Sequence, residues 1–275
     1  MLSQAEQNRG RSTQGIRVVA IGGGTGLSTL LKGLKQYTVR AGENPPDTPY
    51  ISDLTALVTV SDDGGSSGRL RRELGMLPPG DVRNCLVALS EDENLISKLF
   101  QHRFSSSGDL EGHNFGNLFL AALTALTGDF AVAVKEASEI LATRGHILPA
   151  TSANVQLEAI MDNGSHVLGE TNINASQHRI VELQMVPAHP APLPQALAAI
   201  AAADVITMGP GSLFTSLVTN LLVSGIPEAI ADSHAVKVFI CNLMTEANES
   251  LNMKASDHIK AIHDHSPRKI FNYAL

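Results

Sequence analysis

Short apolar runs alternate along this chain with stretches whose apolar positions recur at helical spacing. Residues 16–21 form the first run, a buried strand by their length and their Val, Ile and Ala content. A helix is expected over about residues 28–37. Residues 41–50, with Gly42, Pro45, Pro46 and Pro49, read as a surface loop. Residues 54–60 are a second strand, which runs into Ser61-Asp62-Asp63-Gly64-Gly65-Ser66-Ser67-Gly68. Residues 69–74 look helical, Pro78-Pro79-Gly80 breaks the chain, and Asp81 is placed to cap a helix over residues 82–89.

From residue 93 to about 143 the pattern is helical, interrupted by a polar loop at residues 105–112, with helices over 116–126 and 131–142. The texture changes at Gly145. Residues 155–161 and 166–171 flank Asp162-Asn163-Gly164-Ser165, a hairpin signal, and residues 179–186 read as another strand. A helix over 194–203 with proline in its first turn, a strand over 204–208, a glycine turn, a helix over 213–224 and a strand over 236–242 follow. Strands alternating with helices predict an α/β fold: a Rossmann-like, doubly wound, mostly parallel sheet, here with a helical insertion and a β-hairpin. The expected organisation is a mobile tail over residues 1–15 and a single domain over 16–275 whose C-terminal end is cut short.

The joint after the first strand, Gly22-Gly23-Gly24-Thr25-Gly26, is the richest local signal. Glycines let backbone approach a ligand, and the free N–H groups at the start of the next helix favour an anion. The dinucleotide fingerprint G-x-G-x-x-G fails here, because Leu27 or Thr29 stands at the last position, and no P-loop lysine is present. A turn that merely closes the strand–helix joint is the plainer alternative. Gly209-Pro210-Gly211-Ser212 is a second glycine turn of the same kind. Open α/β sheets bind ligands at the carboxyl ends of their strands, so the loops at 22–26, 62–68 and 209–212 are expected on one sheet edge, the first and last side by side.

Asp62 and Asp63 beside Gly64, Ser66 and Ser67 suit Mg²⁺, which takes one or two carboxylates plus substrate phosphates; turn and cap chemistry is the alternative for the same residues. They lie about twice as far from the first glycine as the ~20 residues of a ribose-binding acid. Arg69, Arg71 and Arg72 follow and are placed to meet phosphates, or to form a solvated helix face. His113-Asn114-Phe115-Gly116-Asn117 opens a helix, where His113, Asn114 and Asn117 are candidates for phosphate or sugar contacts, or for capping. No Ser-His-Asp triad or metal-binding histidine pair is legible.

Composition narrows the partners. Twenty Lys and Arg against 27 Asp and Glu give a net charge of −7, and aromatics are 4% of the chain with no Trp. Both argue against a nucleic-acid surface. Two distant cysteines, Cys85 and Cys241, fit a reducing compartment and exclude a disulfide framework. No apolar run approaches the ~20 residues of a membrane span, and the first fifteen residues lack a signal-peptide core, so a cytoplasmic location without membrane contact is expected. A homo-oligomer, in its simplest form a dimer, is the expected assembly.

The motifs at residues 20–25, 60–68, 78–84, 112–117, 150–152 and 208–212, in this order, resemble the gluconeogenesis-factor family of bacteria, similar in fold to 2-phospho-L-lactate transferase, the enzyme of coenzyme F420 synthesis. Residues 61–69 and 113–117, and Asn242-Leu243-Met244-Thr245 followed by Ala255-Ser256-Asp257-His258, resemble the first group more than the transferase. The resemblance implies a Rossmann-like core, binding of a UDP-sugar such as UDP-N-acetylglucosamine, and a role in carbon balance and cell-wall morphogenesis on gluconeogenic carbon sources, with no established reaction. It brings Asn84 into the candidate site, and it places Asp62 or Asp63 where the transferase has its metal- and phosphate-associated aspartate. Two features depart from the family: the stretch after Thr245, and an end at Phe271-Asn272-Tyr273-Ala274-Leu275 that falls within a strand family members continue. Glu246-Ala247-Asn248-Glu249-Ser250 replaces the usual Gln-Pro-Gly-Glu-Thr, and Met253 stands where a Tyr able to stack on a uracil is expected. A regulatory nucleotide-sugar-binding protein, a Mg²⁺-dependent phospho-group transferase and an NAD(P) oxidoreductase are the three function classes that remain, the last opposed by the broken fingerprint.

Overall fold

The computed structural model describes residues 15–39, 42–91, 95–105, 108–247 and 249–275. The tail expected over residues 1–15 therefore lies, up to residue 14, outside the described residues. In chain order the elements are β1 (Ile16–Gly22), α1 (Gly24–Leu34), β2 (Ile51–Val58), α2 (Gly65–Leu74), α3 (Gly80–Leu89), α4 (Leu95–Gln101), α5 (Phe115–Thr127), α6 (Phe130–Ile140) and β3 (His146–Pro149). Then come β4 (Gln156–Met161), β5 (His166–Leu168), α7 (Glu170–Ala175), β6 (Ile180–Val186), α8 (Pro194–Ala202), β7 (Val205–Met208), α9 (Leu213–Leu221), α10 (Ile226–Asp232), β8 (Val236–Phe239), α11 (Ala255–Asp264) and β9 (Tyr273–Ala274).

Six strands form one parallel sheet in the order β3-β2-β1-β7-β8-β9. Numbered by their own succession, these strands run 3-2-1-4-5-6, the order of the dinucleotide-binding fold, with its switch point between β1 and β7. The central strands are apolar on both faces because both faces are covered. Val19, Ile21 and Leu57 point into a layer shared with Ile200 of α8, Leu217 of α9 and Ile262 of α11. Val18, Ala20, Ala56 and Val58 point into the opposite layer, with Leu27 and Leu31 of α1, Leu86 of α3, Leu120 of α5 and Val134 of α6. A separate antiparallel sheet, β5-β4-β6, lays Leu157, Ala159, Leu183 and Met185 onto the first layer.

Several elements differ from their expected limits. The first helix starts at Gly24, four residues early, because its glycines are its first turn. Asp81 lies inside the first turn of α3 and does not cap it; Pro79 holds the cap position. The strand expected over 166–171 ends at Leu168: Gly169 adopts φ +92°, and α7 begins at Glu170. The last strand of the hairpin region, expected over 179–186, is β6 and adds the third strand of the small sheet. α9 opens with a wide π turn over Leu213–Val218, in which the Leu217 N–H reaches back to the Ser212 carbonyl. β3, α10 and α11 were not legible. Among the described residues no single helix is long and apolar enough to cross a membrane.

Ile21 is fully buried at the carboxyl end of β1. Ile21→Ala is expected to cost about 2–5 kcal/mol. Urea denaturation checks this; a loss below about 1 kcal/mol would mean that this face of the sheet is not close-packed.

Candidate functional site

Because β1 and β7 are neighbours, their two glycine loops meet. The Gly209 N–H donates to the Ile21 carbonyl (3.1 Å). A Cβ on Gly26 would fall 2.3 Å from the Pro210 carbonyl oxygen, so glycine is the residue that fits there. A Cβ on Gly23 would likewise meet Thr59 Cγ2 at 2.6 Å and Asp81 Oδ2 at 2.8 Å. The second loop is held from behind. Asn242 accepts the Gly211 N–H at Oδ1 (3.0 Å) and donates from Nδ2 to the Gly211 carbonyl (2.8 Å). Buried Glu249 accepts the Phe214 N–H (2.8 Å) and the Thr215 hydroxyl (2.5 Å), and so closes the N-terminus of α9 with a carboxylate from its own chain. The N-cap residue of α1 is Gly23, which has no side chain to cap with, and the Asp81 carboxyl meets the Gly24 N–H instead.

Over this edge opens a cleft of about 1260 Å³. Of the residues singled out from the sequence, Gly23, Gly24, Thr25, Gly26, Asp62, Asn84, Pro210, Gly211 and Ser212 line it, with Gly22 and Gly209 at the strand ends directly behind. Three further carboxyl residues line it, Asp81, Glu170 and Glu246. The opposite wall is mostly apolar and includes Phe239, Ile240, Leu243, Met244, Ile259 and Leu275. Asp81 carries a weak sequence signal, an acid following Pro78-Pro79-Gly80, that reads equally well as a cap. Glu170 carries none, because it reaches the cleft only through the docking of the small sheet.

The cleft is acidic, and no Lys, Arg or His lines it among the described residues. Asp62 Oδ1 accepts the Gly64 N–H (2.9 Å) at the start of α2. Burial, and next the Asp62 charge, push Asp81 up to about 6 against the opposing pull of the Gly24 N–H and Arg83. Burial, then Asp62, Asp81, Glu249 and Asp63, push Glu170 up to about 9, so its carboxyl is neutral at pH 7. The Ser61 hydroxyl stands 3.5 Å from Glu170 Oε2.

The Asp62–Asp63 pair expected to share a Mg²⁺ diverges. Asp63 accepts the Thr171 N–H (2.8 Å) and hydroxyl (2.6 Å), which fastens the start of α7. No group of three or more His, Cys, Asp or Glu that could hold a metal occurs among the described residues. The carboxyls left for a phosphate-bound cation are Asp62 and Asp81.

The remaining polar motifs form a buried knot beside the cleft. Ser66 Oγ lies 3.1 Å from His113 Nδ1 and accepts the Asn114 N–H (3.3 Å); Asn117 Nδ2 donates to Ser67 Oγ (3.5 Å). Asn114 also caps α5 through the Asn117 N–H. Burial and the Arg69 charge hold the His113 imidazole below its ordinary value. The arginines expected on phosphates turn elsewhere: Arg69 donates to the Glu111 carbonyl, buried Arg71 to the carbonyls of Ser61 and Val155, and Arg72 is exposed. Met253 packs against the core and lines a separate small hollow with residues 176–179, away from the cleft.

The family model described as 2-phospho-L-lactate transferase CofD matches residues 18–275. A gluconeogenesis factor of Halalkalibacterium halodurans is 51% identical over 248 residues, which are 90% of this chain and 73% of that protein. That of Bacillus subtilis is 49% identical over 249 residues, 90% of this chain and 74% of the relative. A Nostoc relative is 50% identical over 252 residues, and there the chain spans only 52% of the relative's length. A crystal structure of Bacillus halodurans protein BH3568 superposes with a TM-score of 0.88 at 49% identity, covering 95% of this chain and 80% of that one.

Gly26→Ala is expected to push the two loops apart and to cost about 1–3 kcal/mol. Exposed Gly33, in the same helix with nothing within 4 Å of its Cβ position, is the control: Gly33→Ala is expected to add about 0.5–1 kcal/mol. Equal effects in calorimetric unfolding would show that the loops do not interlock. A second prediction concerns pH. Glu170 keeps its proton to about 9 when folded but releases it near 4.5 when unfolded. The folded chain then binds more protons, so stability falls as pH rises between these values. Above pH 7, where Asp81 has already titrated, Glu170→Gln is expected to remove most of that fall; parallel slopes in wild type and variant between pH 7 and 9 would refute it.

Proposed function

This chain belongs to the 2-phospho-L-lactate transferase CofD family, on its gluconeogenesis-factor branch, and we propose that its cleft binds a nucleotide sugar of the UDP-N-acetylglucosamine type as a regulatory ligand. The observation that carries the reading is the two-sided cleft at the switch point between β1 and β7. On one side the start of α1, where Asp81 meets the Gly24 N–H and Thr25 and Gly26 follow in the cleft lining, offers N–H groups to a diphosphate. Ser212, Asn84 and the neutral Glu170 carboxyl suit sugar hydroxyls and phosphate oxygens. On the other side the apolar wall suits a base. A regulatory role fits a cleft in which the described residues give no nucleophile with an adjoining base, since the Ser66–His113 pair is buried elsewhere. In this reading the protein acts in the cytoplasm and supports growth on gluconeogenic carbon sources and cell-wall morphogenesis.

The second reading is a Mg²⁺-dependent phospho-group transferase. It rests on Asp62 and Asp81 standing together beside the anion cradle, where a divalent ion could bridge them to substrate phosphates. Position 253 drops out as a base contact in either reading, because Met253 lies in another hollow.

Titration calorimetry separates the two. UDP-N-acetylglucosamine is expected to bind without added metal and to raise stability by ~2.7 kcal/mol at a hundred times its Kd. Binding of GDP or GTP only with Mg²⁺ would favour the transferase. No heat or stabilisation with any of these ligands would sink both.

A further inference from the structure

The arginines that turn away from the cleft share a destination. Arg69 Nη2 donates to the Glu111 carbonyl, and Arg103 Nη1 donates to the neighbouring Gly112 carbonyl (2.6 Å). Arg69 Nη2 lies 3.6 Å from where a Gly112 Cβ would stand. One turn on, the Arg83 side chain passes the start of α5, its Cγ 2.8 Å from the Cβ position of Gly116. Arg83 Nε is buried there without a partner. Two guanidinium groups, the Arg83 side chain and His113 thus surround one turn of chain, residues 111–116, in a protein of net charge −7.

None of the three arginines is ion-paired with a carboxylate among the described residues. Arg83 and Arg103 repel each other: burial and then the Arg103 charge hold Arg83 below its ordinary value, against Asp81 and Asp62 on the cleft side. Glu73 is the carboxylate that faces His113. The turn also opens a helix of 13 residues with no acid in its first turn. Like charges gathered with no direct ion pair among the described residues disfavour the folded chain, and a dianion between them reverses the sign.

We propose that Arg69, Arg83 and Arg103, around the turn that opens α5, form a second anion site that takes the phosphate group of a small phosphomonoester. The planar guanidinium forks are matched to phosphate oxygens, and the exposed Arg103 keeps the site open to solvent. The site is separate from the cleft, which none of the three lines. Arg83 Nη2 donates to Asn84 Oδ1 (2.6 Å), and Asn84 is a cleft residue, so the two sites are one hydrogen bond apart. The proposal does not depend on what the cleft itself binds.

Hydrogen–deuterium exchange of the whole chain, with and without millimolar inorganic phosphate, locates the anion. Protection is expected at residues 103 and 111–116. Protection confined to residues 22–27 would put phosphate on α1 and overturn the proposal, as would no protection at all. Sodium chloride at matched ionic strength is the control, and the same protection with chloride would show mere screening of the arginines. Arg103→Gln and Arg69→Gln are each expected to weaken phosphate binding about tenfold; undiminished binding in both would also overturn it.

Discussion

The contact between Gly26 and the Pro210 carbonyl is the constraint on which the cleft depends. It exists because β1 and β7, far apart in sequence, lie side by side and parallel in the sheet. Parallel neighbours deliver their following turns to the same edge, so two strand–helix joints must share one small space. Backbone can meet backbone there only where no Cβ intervenes. Asn242 and Glu249, on the chain segment after β8, then hold the second loop against the first.

That crowding brings several helix N-termini together, and the chain answers most of them itself. Asp62 caps the entry to α2, Asp63 the start of α7, Asn114 that of α5 and Glu249 that of α9, while Asp81 takes the Gly24 N–H. Positive helix ends and negative carboxyls are thereby balanced at close quarters. The balance has a consequence for Glu170. It arrives with α7 into a space already holding Asp62 and Asp81, and it stays protonated, which turns a potential repulsion into a hydrogen-bond donor. The cleft thus carries one carboxyl in donor form and no basic side chain among its described lining residues.

Much of the fold was legible because the central strands are apolar on both faces, a pattern that only a covered parallel sheet explains. The glycine loops were legible as a ligand edge for the same reason: strand, turn and helix follow one another without interruption. The start of α1 was misjudged by four residues because glycine's low helix propensity reads as a turn, whereas tertiary packing makes Gly24, Thr25 and Gly26 the first turn of the helix. Glu170 was illegible because nothing local to residues 166–171 distinguishes a strand from a strand ending at Gly169; the left-handed glycine and the Asp63 bond to Thr171 decide it. The short β3 fails the same test, since it does not carry a full period of its own pattern, whereas α9 was legible as a helix and only its π opening was not.

The polar motifs at 61–69 and 113–117 look like ligand residues in sequence for a physical reason that survives their reassignment. Ser66, Ser67, His113, Asn114 and Asn117 are hydrogen-bonding groups that must be satisfied wherever they are buried. In the fold they satisfy one another, and in doing so they tie the start of α2 to the start of α5. That knot anchors the helical insertion to the sheet edge and braces α3, whose first turn presents Asp81 and Asn84 to the cleft. Its residues fix where two cleft side chains stand, while exposed Arg103 and the half-buried Arg69 and Arg83 gather around the same turn with no carboxylate ion pair among the described residues.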